Sequence, residues 1–190
     1  RRFSAVVHLG TRHDPRSDSS EHHAWNVTAF QKILDCVAQY EVPKLIVVSG
    51  AAVYGPRPDN PQFLTEDAPL LGAARFSEIR DMIAVDMLAQ SFFWKHAQTE
   101  TVILRPVHVL GDVQNASSNY LRLARIPTLL GFDPMMQVIH QDDLVRAILA
   151  ALVPSKRGVF NIAGCAPLPL SDLIALTGRP RVSVPHPVAK

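Results

Sequence analysis

Three short and almost wholly apolar runs, at positions 5–9, 44–49 and 102–104, place the strongest constraint on the fold of this chain. Such runs are typical of strands that are buried on both faces. Between them, residues 23–39 carry apolar side chains at helical spacing, and residues 75–96 form a second, longer helical segment. Strands that alternate with helices predict a parallel sheet covered by helices on right-handed crossovers. The predicted fold class is therefore α/β.

The pattern changes after Gly111, where the elements become short. The predicted order is a polar loop at 115–119, an apolar run at 121–130, a helix at 142–152, a strand at 158–162 and a last helix at 172–176. Earlier in the chain, residues 55–72 contain four prolines and are predicted to be a loop.

The charge balance argues against two classes of partner. The chain carries 19 Lys and Arg against 17 Asp and Glu, a formal net charge of +2, and the basic residues are scattered. A nucleic-acid-binding stripe or a polybasic membrane anchor would need them clustered. No apolar run approaches the roughly 18 residues that span a bilayer. We therefore predict no nucleic-acid partner and no membrane partner.

The cysteines predict a cytoplasmic location, and the histidines give no indication of a metal site. Cys36 lies in a helical pattern, where we expect it to be buried, and Cys165 lies in a loop. Two cysteines give no disulfide framework and no signal peptide opens the chain, so the cytoplasm is predicted. The eight histidines show no metal-ligand spacing.

Six short segments stand out along the chain at or near the ends of the predicted strands and at turns. In chain order they are 6–10 (VVHLG), 26–27 (NV), 47–55 (VVSGAAVYG), 104–111 (LRPVHVLG), 138–143 (VIHQDD) and 158–164 (GVFNIAG). Together they resemble the extended short-chain dehydrogenases/reductases, and specifically the NAD-dependent epimerase/dehydratase proteins that include the sugar-nucleotide 4-epimerases. They resemble that family's strand exits, its Ser-Ser-x-x-Val-Tyr-Gly turn and its His-x-x-Asp turn.

The resemblance implies a partial, doubly wound Rossmann-type parallel sheet, from its fourth strand onward, with a small carboxyl-terminal substrate domain. Residues 1–112 would be the carboxyl-terminal part of the NAD(P)-binding domain. Residues 113–190 would be mainly the substrate domain, with 138–163 returning to the sheet. The chain begins without methionine and lacks the family's Gly-rich pyrophosphate loop. We therefore interpret it as an amino-terminally truncated fragment that alone binds no cofactor.

The resemblance also implies which residues face the cofactor, NAD or NADP, in the full-length protein. Ligands of open α/β sheets bind at the carboxyl ends of the strands. His108 lies where relatives often place a residue that contacts substrate. The implied cofactor-binding residues are Leu9, Gly10, Thr11, Ser49, Arg80, Pro106 and Val107.

The family's catalytic set is not retained. A Ser or Thr, a Tyr that acts as acid and base, and a Lys four residues later are replaced by Gly50, Phe76 and Arg80. Phe76 has no ionisable proton, and Arg80 is a planar, permanently charged fork rather than a compact ammonium. Family chemistry by the family mechanism is therefore not expected. The stretch 135–137 also lacks the Arg that relatives place before the His-x-x-Asp turn, which argues against a UDP-sugar substrate.

Three readings follow. In the first, the full-length protein is a NAD(P)-binding member with a degenerate site that acts as a sensor or interaction module, and its partner is a small molecule such as a sugar derivative. In the second, it is an active but atypical oxidoreductase or epimerase that uses another acid, such as Tyr54 or a residue outside this fragment. In the third, it is a nonfunctional remnant of a truncated gene. The family resemblance further suggests a homodimer through the helices at 23–39 and 75–96.

Overall fold

The computed structural model describes residues 3–11, 19–57, 59–61, 63–72, 77–112 and 117–185. It divides into two compact units, one made of Arg1–Val107 with Val145–Ile162 and the other of His108–Leu144 with Ala163–Lys190. Phe76 lies outside the described residues, and so do the side chains of Ser77 and Glu78.

The elements follow in this order. The strands are β1 (Val6–Leu9), β2 (Lys44–Val48), β3 (Glu100–Pro106), β4 (His108–Leu110), β5 (Ile126–Leu129), β6 (Met135–Met136), β7 (Val138–His140), β8 (Gly158–Ile162), β9 (Leu168–Pro169) and β10 (Arg181–Val184). The helices are α1 (Ser19–His23), α2 (Ala29–Gln39), α3 (Ser77–Lys95), α4 (Gln141–Ala151) and α5 (Leu170–Leu176). Among the described residues, no helix is both long and apolar enough to cross a bilayer.

The first unit is built on a four-stranded sheet in the order β1-β2-β3-β8, and every pairing in it is parallel. The predicted α/β class and parallel sheet are therefore confirmed. All five residues of β2 are buried. Leu45 and Val47 belong to an apolar cluster with α2 and α3, whereas Ile46 and Val48 belong to one with α4. Because the side chains alternate, β2 fills the core on both sides of the sheet.

Strand β1 is an edge of this sheet, with β2 as its one neighbour among the described strands. Val6 packs on the cluster under α2 and α3. Val7 is 38% exposed and Leu9 is 72% exposed, so the opposite face of β1 is open. The sequence of β1 is thus typical of a strand that is buried on both faces, although only one of its faces is covered.

The predicted helix at 23–39 is interrupted. Between α1 and α2, Ala24–Thr28 form a π-helical turn in which Asn26 is buried. Such turns widen a helix locally and occur often at functional sites. The prediction that Cys36 is buried is wrong, because Leu34 and Val37 occupy the inward face of α2 and Cys36 is exposed.

The Pro-rich loop at 55–72 closes on itself at its two ends. Gly55 has a φ of +78°, and a Cβ on it would lie 2.6 Å from the Cα of Gly72. A Cβ on Gly72 would lie 2.9 Å from the carbonyl oxygen of Ala52. Both positions therefore need glycine for the close backbone approach.

The second unit is assembled from strand pairs around its own apolar cluster. Strand β5 pairs with β10 in parallel, β4 pairs with β7 in parallel, and β6 pairs with β9 in antiparallel fashion. The buried members of the cluster are Leu121, Ile126, Leu170, Leu173 and Ile174. The predicted run at 121–130 is split between a 3₁₀ turn at Ser117–Arg122 and β5.

Candidate functional site

The carboxyl ends of β1, β2 and β3 lie side by side at one edge of the parallel sheet. Leu9 is in register with Val48, and Val48 is in register with Leu104. Beyond the end of β2, the backbone N–H of Ser49 donates to the carbonyl oxygen of Leu104 at 2.8 Å. The three exits predicted to face a ligand are therefore brought to one edge, where open α/β sheets bind their ligands.

At the carboxyl end of β1, no side chain of the described residues covers the backbone of Gly10. Gly10 has a φ of +80°, and a Cβ on it would meet one neighbour, the carbonyl oxygen of Val48 at 3.8 Å. Leu9 beside it is largely exposed, and Thr11 is half-buried. A ligand can therefore approach the main chain closely at Gly10.

Two buried polar atoms near this edge have no hydrogen-bond partner among the described residues. They are the hydroxyl of Ser49 and the Nδ1 atom of His8. The ring of His8 lies 4.6 Å from the ring of Phe30, and burial lowers the pKa of His8. An unsatisfied buried polar group costs about 1–3 kcal/mol. A polar ligand that hydrogen-bonds here would remove that cost, so the residues present fit such a group.

The exit of β2 continues into Gly50, whose backbone is extended. A Cβ on Gly50 would lie 3.1 Å from the sulfur of Met82 and 3.9 Å from the carbonyl oxygen of Pro106. The α3 residue that faces Gly50 is therefore Met82, a thioether with no proton to give.

Arg80 lies elsewhere on α3. It is exposed and precedes Met82 by two residues, which places it about 200° around the helix axis from Met82. The structure thus brings Gly50 together with Met82 and Pro106 and does not bring Arg80 to them. Cofactor binding by Arg80 stays a prediction.

The remaining candidate residues are the last residue of β3 and the two residues that follow it. Pro106 is buried, and the backbone N–H of Val107 donates to the carbonyl oxygen of Ile162 at 3.0 Å. His108 begins β4 in the second unit and is half-buried, and burial lowers its pKa. Substrate contact by His108 stays a prediction.

Tyr54, the alternative acid, belongs to a buried polar network. Arg105 forms a two-bonded ion pair with Asp86, at 2.8 and 3.0 Å, and both side chains are at most 1% exposed. Arg105 also donates to the Tyr54 hydroxyl at 2.8 Å, and that hydroxyl donates to Asn161 at 2.7 Å. The backbone N–H of Asn161 in turn donates to the carboxylate of Glu66 at 2.8 Å.

This network uses the Tyr54 proton. Tyr54 is 4% exposed, and its hydroxyl both accepts and donates inside the protein. The arrangement joins β3, β8 and the Pro-rich loop, so its evident role is to hold those segments together.

A second polar group, which the sequence did not reveal, joins the π-helical region to α3. The Nδ1 atom of His23 lies 3.0 Å from one carboxylate oxygen of Asp81, and the side-chain amide of Asn26 donates to the other at 3.2 Å. His23 and Asp81 are 58 residues apart. No local spacing could have indicated the pair.

Within the described part of the chain, no group of three or more His, Cys, Asp or Glu side chains could hold a metal ion.

A sequence model of the NAD dependent epimerase/dehydratase family matches residues 1–163. Uncharacterized proteins of Mycobacterium tuberculosis and Mycobacterium bovis are 28% identical over 158 residues. That match covers 83% of this chain and 42% of each relative, so the chain spans less than half the length of these relatives.

Solved structures share the fold at low identity. UDP-N-acetylglucosamine 4-epimerase of Methanobrevibacter ruminantium matches with a TM-score of 0.76 and 16% identity, over 95% of this chain and 64% of its own. The NAD-bound dTDP-glucose 4,6-dehydratase DesIV of Streptomyces venezuelae has 0.77 and 21%, over 96% and 61%. RMD of Pseudomonas aeruginosa, complexed with NADPH, has 0.77 and 18%, over 96% and 69%.

Proposed function

The chain belongs to the NAD dependent epimerase/dehydratase family, and from that premise we propose that the protein containing it binds a nicotinamide dinucleotide but lacks the family's proton-transfer set. It is then a cofactor-holding protein with a degenerate site rather than a standard sugar-nucleotide epimerase. Its ligand beside the cofactor is a small molecule such as a sugar derivative.

The observation that carries the proposal is the pairing of Gly50 with Met82. A Ser or Thr at position 50 would start with a Cβ 3.1 Å from the Met82 sulfur, so a hydroxyl could be accommodated there only if Met82 moved. Met82 therefore lies against the position where the family's hydroxyl would be. Phe76 contributes no proton by its chemistry, and Arg80 lies on a different side of α3. Loss of a positioned acid or base typically slows a reaction about 10²–10⁴-fold.

Cofactor binding is supported by the exits of β1 and β2. Gly10 gives a ligand access to bare backbone, and Ser49 has a buried hydroxyl that can donate to a polar ligand atom or accept from one. Pro106 and Val107, at the exit of β3, would form the third wall of the cofactor site. A nicotinamide ring, when bound, supplies a hydride donor or acceptor, while these residues bind and orient it.

A second candidate function, an active but atypical oxidoreductase, gains nothing from Tyr54. The hydroxyl of Tyr54 is buried, and its proton is donated to Asn161. The same oxygen accepts from Arg105, so both of its hydrogen bonds are made inside the protein. The atypical reading therefore needs a different acid.

The homodimer suggested by the helices is part of the proposal. Large apolar side chains are exposed on the helical region after β1 and on α3: Trp25 at 59%, Met87 at 58% and Trp94 at 78%. A four-helix contact between two copies would cover them. Sedimentation of the wild-type full-length protein and of its Trp94→Glu variant tests this. A mass of one chain for both proteins would contradict it.

The two free cysteines are compatible with the expected cytoplasmic location.

Titration calorimetry of NADH and of NADPH into the full-length protein tests the central proposal and also decides between the two cofactors. We expect saturable binding of one of them, with no turnover of UDP-glucose. The absence of binding in a folded protein would overturn the proposal, and so would epimerisation at rates ordinary for enzymes.

A matched pair of variants localises the binding. Gly10→Ala and Gly131→Ala introduce a Cβ at nearly the same positive φ, +80° and +77°, and neither Cβ would meet an atom closer than 3.8 Å. Both should strain the backbone similarly. Only Gly10→Ala should weaken cofactor binding, and equal effects of the two would argue against the exit of β1 as the site.

A further inference from the structure

We propose that His23, oriented by Asp81, is the acid–base group of the cofactor edge, in place of the missing family set. The inference rests on the cofactor-binding part of the proposed function, because it needs a nicotinamide cofactor at this edge. To that part it adds the reaction of the second candidate function, an atypical oxidoreductase, with His23 as the acid in place of Tyr54.

The geometry of the pair is that of an oriented imidazole. Asp81 accepts from His23 at 3.0 Å and from the Asn26 amide at 3.2 Å, so both of its oxygens are used. The Asp81 side chain is 13% exposed, whereas the His23 side chain is 57% exposed. A carboxylate that accepts from Nδ1 keeps the proton there and leaves Nε2 as the acceptor. The buried partner is therefore the fixed one, and the exposed ring can exchange protons.

Topology places the pair at the correct edge of the sheet. Helix α1 precedes the π-helical turn and follows the carboxyl end of β1, and α3 is the next long helix after the carboxyl end of β2. Asp81 is adjacent in sequence to Met82, whose sulfur lies 3.1 Å from the Cβ position of Gly50. The π-helical turn, with Asn26 buried in it, brings the helical region after β1 against α3.

Three other described histidines, His8, His96 and His140, differ from His23. The ring of His8 lies tilted against Phe30 with its Nδ1 buried and unpartnered, and the ring of His96 stacks on Phe92. His140 lies 3.5 Å from Asp142, but that carboxylate is 65% exposed and belongs to the same turn. His23 is set apart because its carboxylate is largely buried and comes from another element.

The step assigned to His23 balances as follows. Nε2 accepts the proton of a substrate hydroxyl, so an O–H bond breaks and an N–H bond forms. The electron pair left on oxygen forms the carbonyl as a hydride leaves the same carbon for an oxidised nicotinamide, the named co-reactant. The reverse step returns the proton from Nε2 to the oxygen.

Diethyl pyrocarbonate, which acylates unprotonated imidazole nitrogen, tests the inference without knowledge of the substrate. The rate is followed at each histidine of the full-length wild-type protein by peptide mass spectrometry, with and without NADH. At NADH ten times above its Kd, we expect acylation of His23 to slow about tenfold, because about one protein in eleven remains free. His140, whose side chain is 53% exposed and also beside a carboxylate, is the matched control and should be unaffected.

Asp81→Asn tests the orientation. It keeps the size of the side chain but replaces a charge-assisted hydrogen bond with a neutral one, about half as strong. The acylation rate of His23 in the cofactor-free variant should therefore differ from that in wild type, while the rate of His140 should not. The NADH affinity, measured by calorimetry, should not change.

The outcomes separate the two proposals. Saturable NADH binding without protection of His23 would overturn the role of His23 and leave the proposed function standing. Protection without any effect of Asp81→Asn would overturn the acid–base pair as described. No NADH binding would overturn the proposed function and this inference with it.

Discussion

Two regions at the carboxyl edge of the first unit's sheet differ in whether their buried polar groups are hydrogen-bonded: one lies around β3 and β8, and the other around β1 and β2. Around β3 and β8, Arg105, Asp86, Tyr54 and Asn161 are mutually hydrogen-bonded. Around β1 and β2, the Ser49 hydroxyl and His8 Nδ1 are buried without a partner among the described residues. A satisfied network stabilises a fold, whereas unsatisfied groups raise the free energy of the protein until something binds them.

The difference assigns roles that residue type alone would not. By residue type alone, Tyr54 would be the more reactive side chain, yet its hydrogen bonds connect segments of the fold. The candidate binding groups are instead a glycine, a serine and backbone atoms. The predictions below run from the largest expected effect to the smallest, and each compares the two sides.

The largest effect is expected at Arg105. Arg105→Met leaves the carboxylate of Asp86 buried and unpaired, which should lower the free energy of unfolding by about 3–5 kcal/mol. Urea denaturation of the full-length protein measures it. The double variant Arg105→Met with Asp86→Leu removes both charges and should recover most of the loss. A single variant as stable as wild type would show that the network does not hold this side together.

Tyr54→Phe should have a smaller effect of the same kind. It removes a hydroxyl that accepts from Arg105 and donates to Asn161, at a cost of about 1–3 kcal/mol. The Kd for NADH should stay as in wild type. A selective loss of cofactor binding or hydride transfer, at unchanged stability, would instead place Tyr54 on the functional side.

Gly50 and Met82 should be energetically coupled. Gly50→Ser drives a Cβ against the Met82 sulfur, and Met82→Ala makes room for it. We expect the double variant to be more stable than the sum of the single effects by about 0.5–3 kcal/mol. Met87→Ala, at a position on α3 that is 58% exposed, is the control and should show no coupling to Gly50→Ser.

Ser49→Ala should separate stability from binding most clearly. Because the hydroxyl is buried without a partner among the described residues, its loss should raise the free energy of unfolding, by up to about 1–3 kcal/mol. Cofactor affinity in the full-length protein should fall about 2–10-fold, the value of one hydrogen bond. Thr101→Val is the control, since the Thr101 hydroxyl is also buried and unpartnered but lies near the start of β3. An equal loss of affinity in both variants would contradict the assignment.

The pH dependence should show the smallest effect. Burial holds the pKa of His8 and of His108 below the ordinary value. The unfolded chain therefore binds more protons as the pH falls below about 6.5, and stability should decrease on acidification until the folded pKa values are passed. His8→Phe keeps a ring against Phe30 and should reduce this slope in pH-dependent denaturation. A slope that is unchanged would mean that His8 binds protons equally in the folded and unfolded states.

The sequence was most informative where the signal was local. The runs that became β1, β2 and β3 predicted the parallel sheet, because burial on both faces leaves few polar positions within a strand. The family turns located Gly10, Ser49 and Gly50 at strand exits. The π-helical turn was not predicted, since one extra residue barely disturbs an apolar pattern such as that of α2.

Contacts between distant segments were beyond prediction. The bond from Tyr54 to Asn161 joins residues 107 positions apart, and each residue alone reads as a packing or turn residue. Which residue of α3 faces Gly50 depends on the rotation of the helix about its axis, which motif spacing does not specify for Met82 and Arg80. The exposure of Cys36 was decided in the same way by the rotation of α2 about its own axis.

The contact between Gly55 and Gly72 has a consequence for how this protein can vary and be engineered. The two ends of the loop touch, so additional residues between them need not move β2 or α3. Doubling the length of a flexible loop adds only about 0.6 kcal/mol of closure entropy. Leu64 and Glu66 are tied to Asn161, and the side-chain amide of Asn60 donates to the carbonyl oxygen of Gly55 at 2.7 Å. Arg57 and Asp59 are exposed and bond to each other rather than to the sheet. The loop next to Arg57 is therefore a practical place for grafting a tag or a reporter domain.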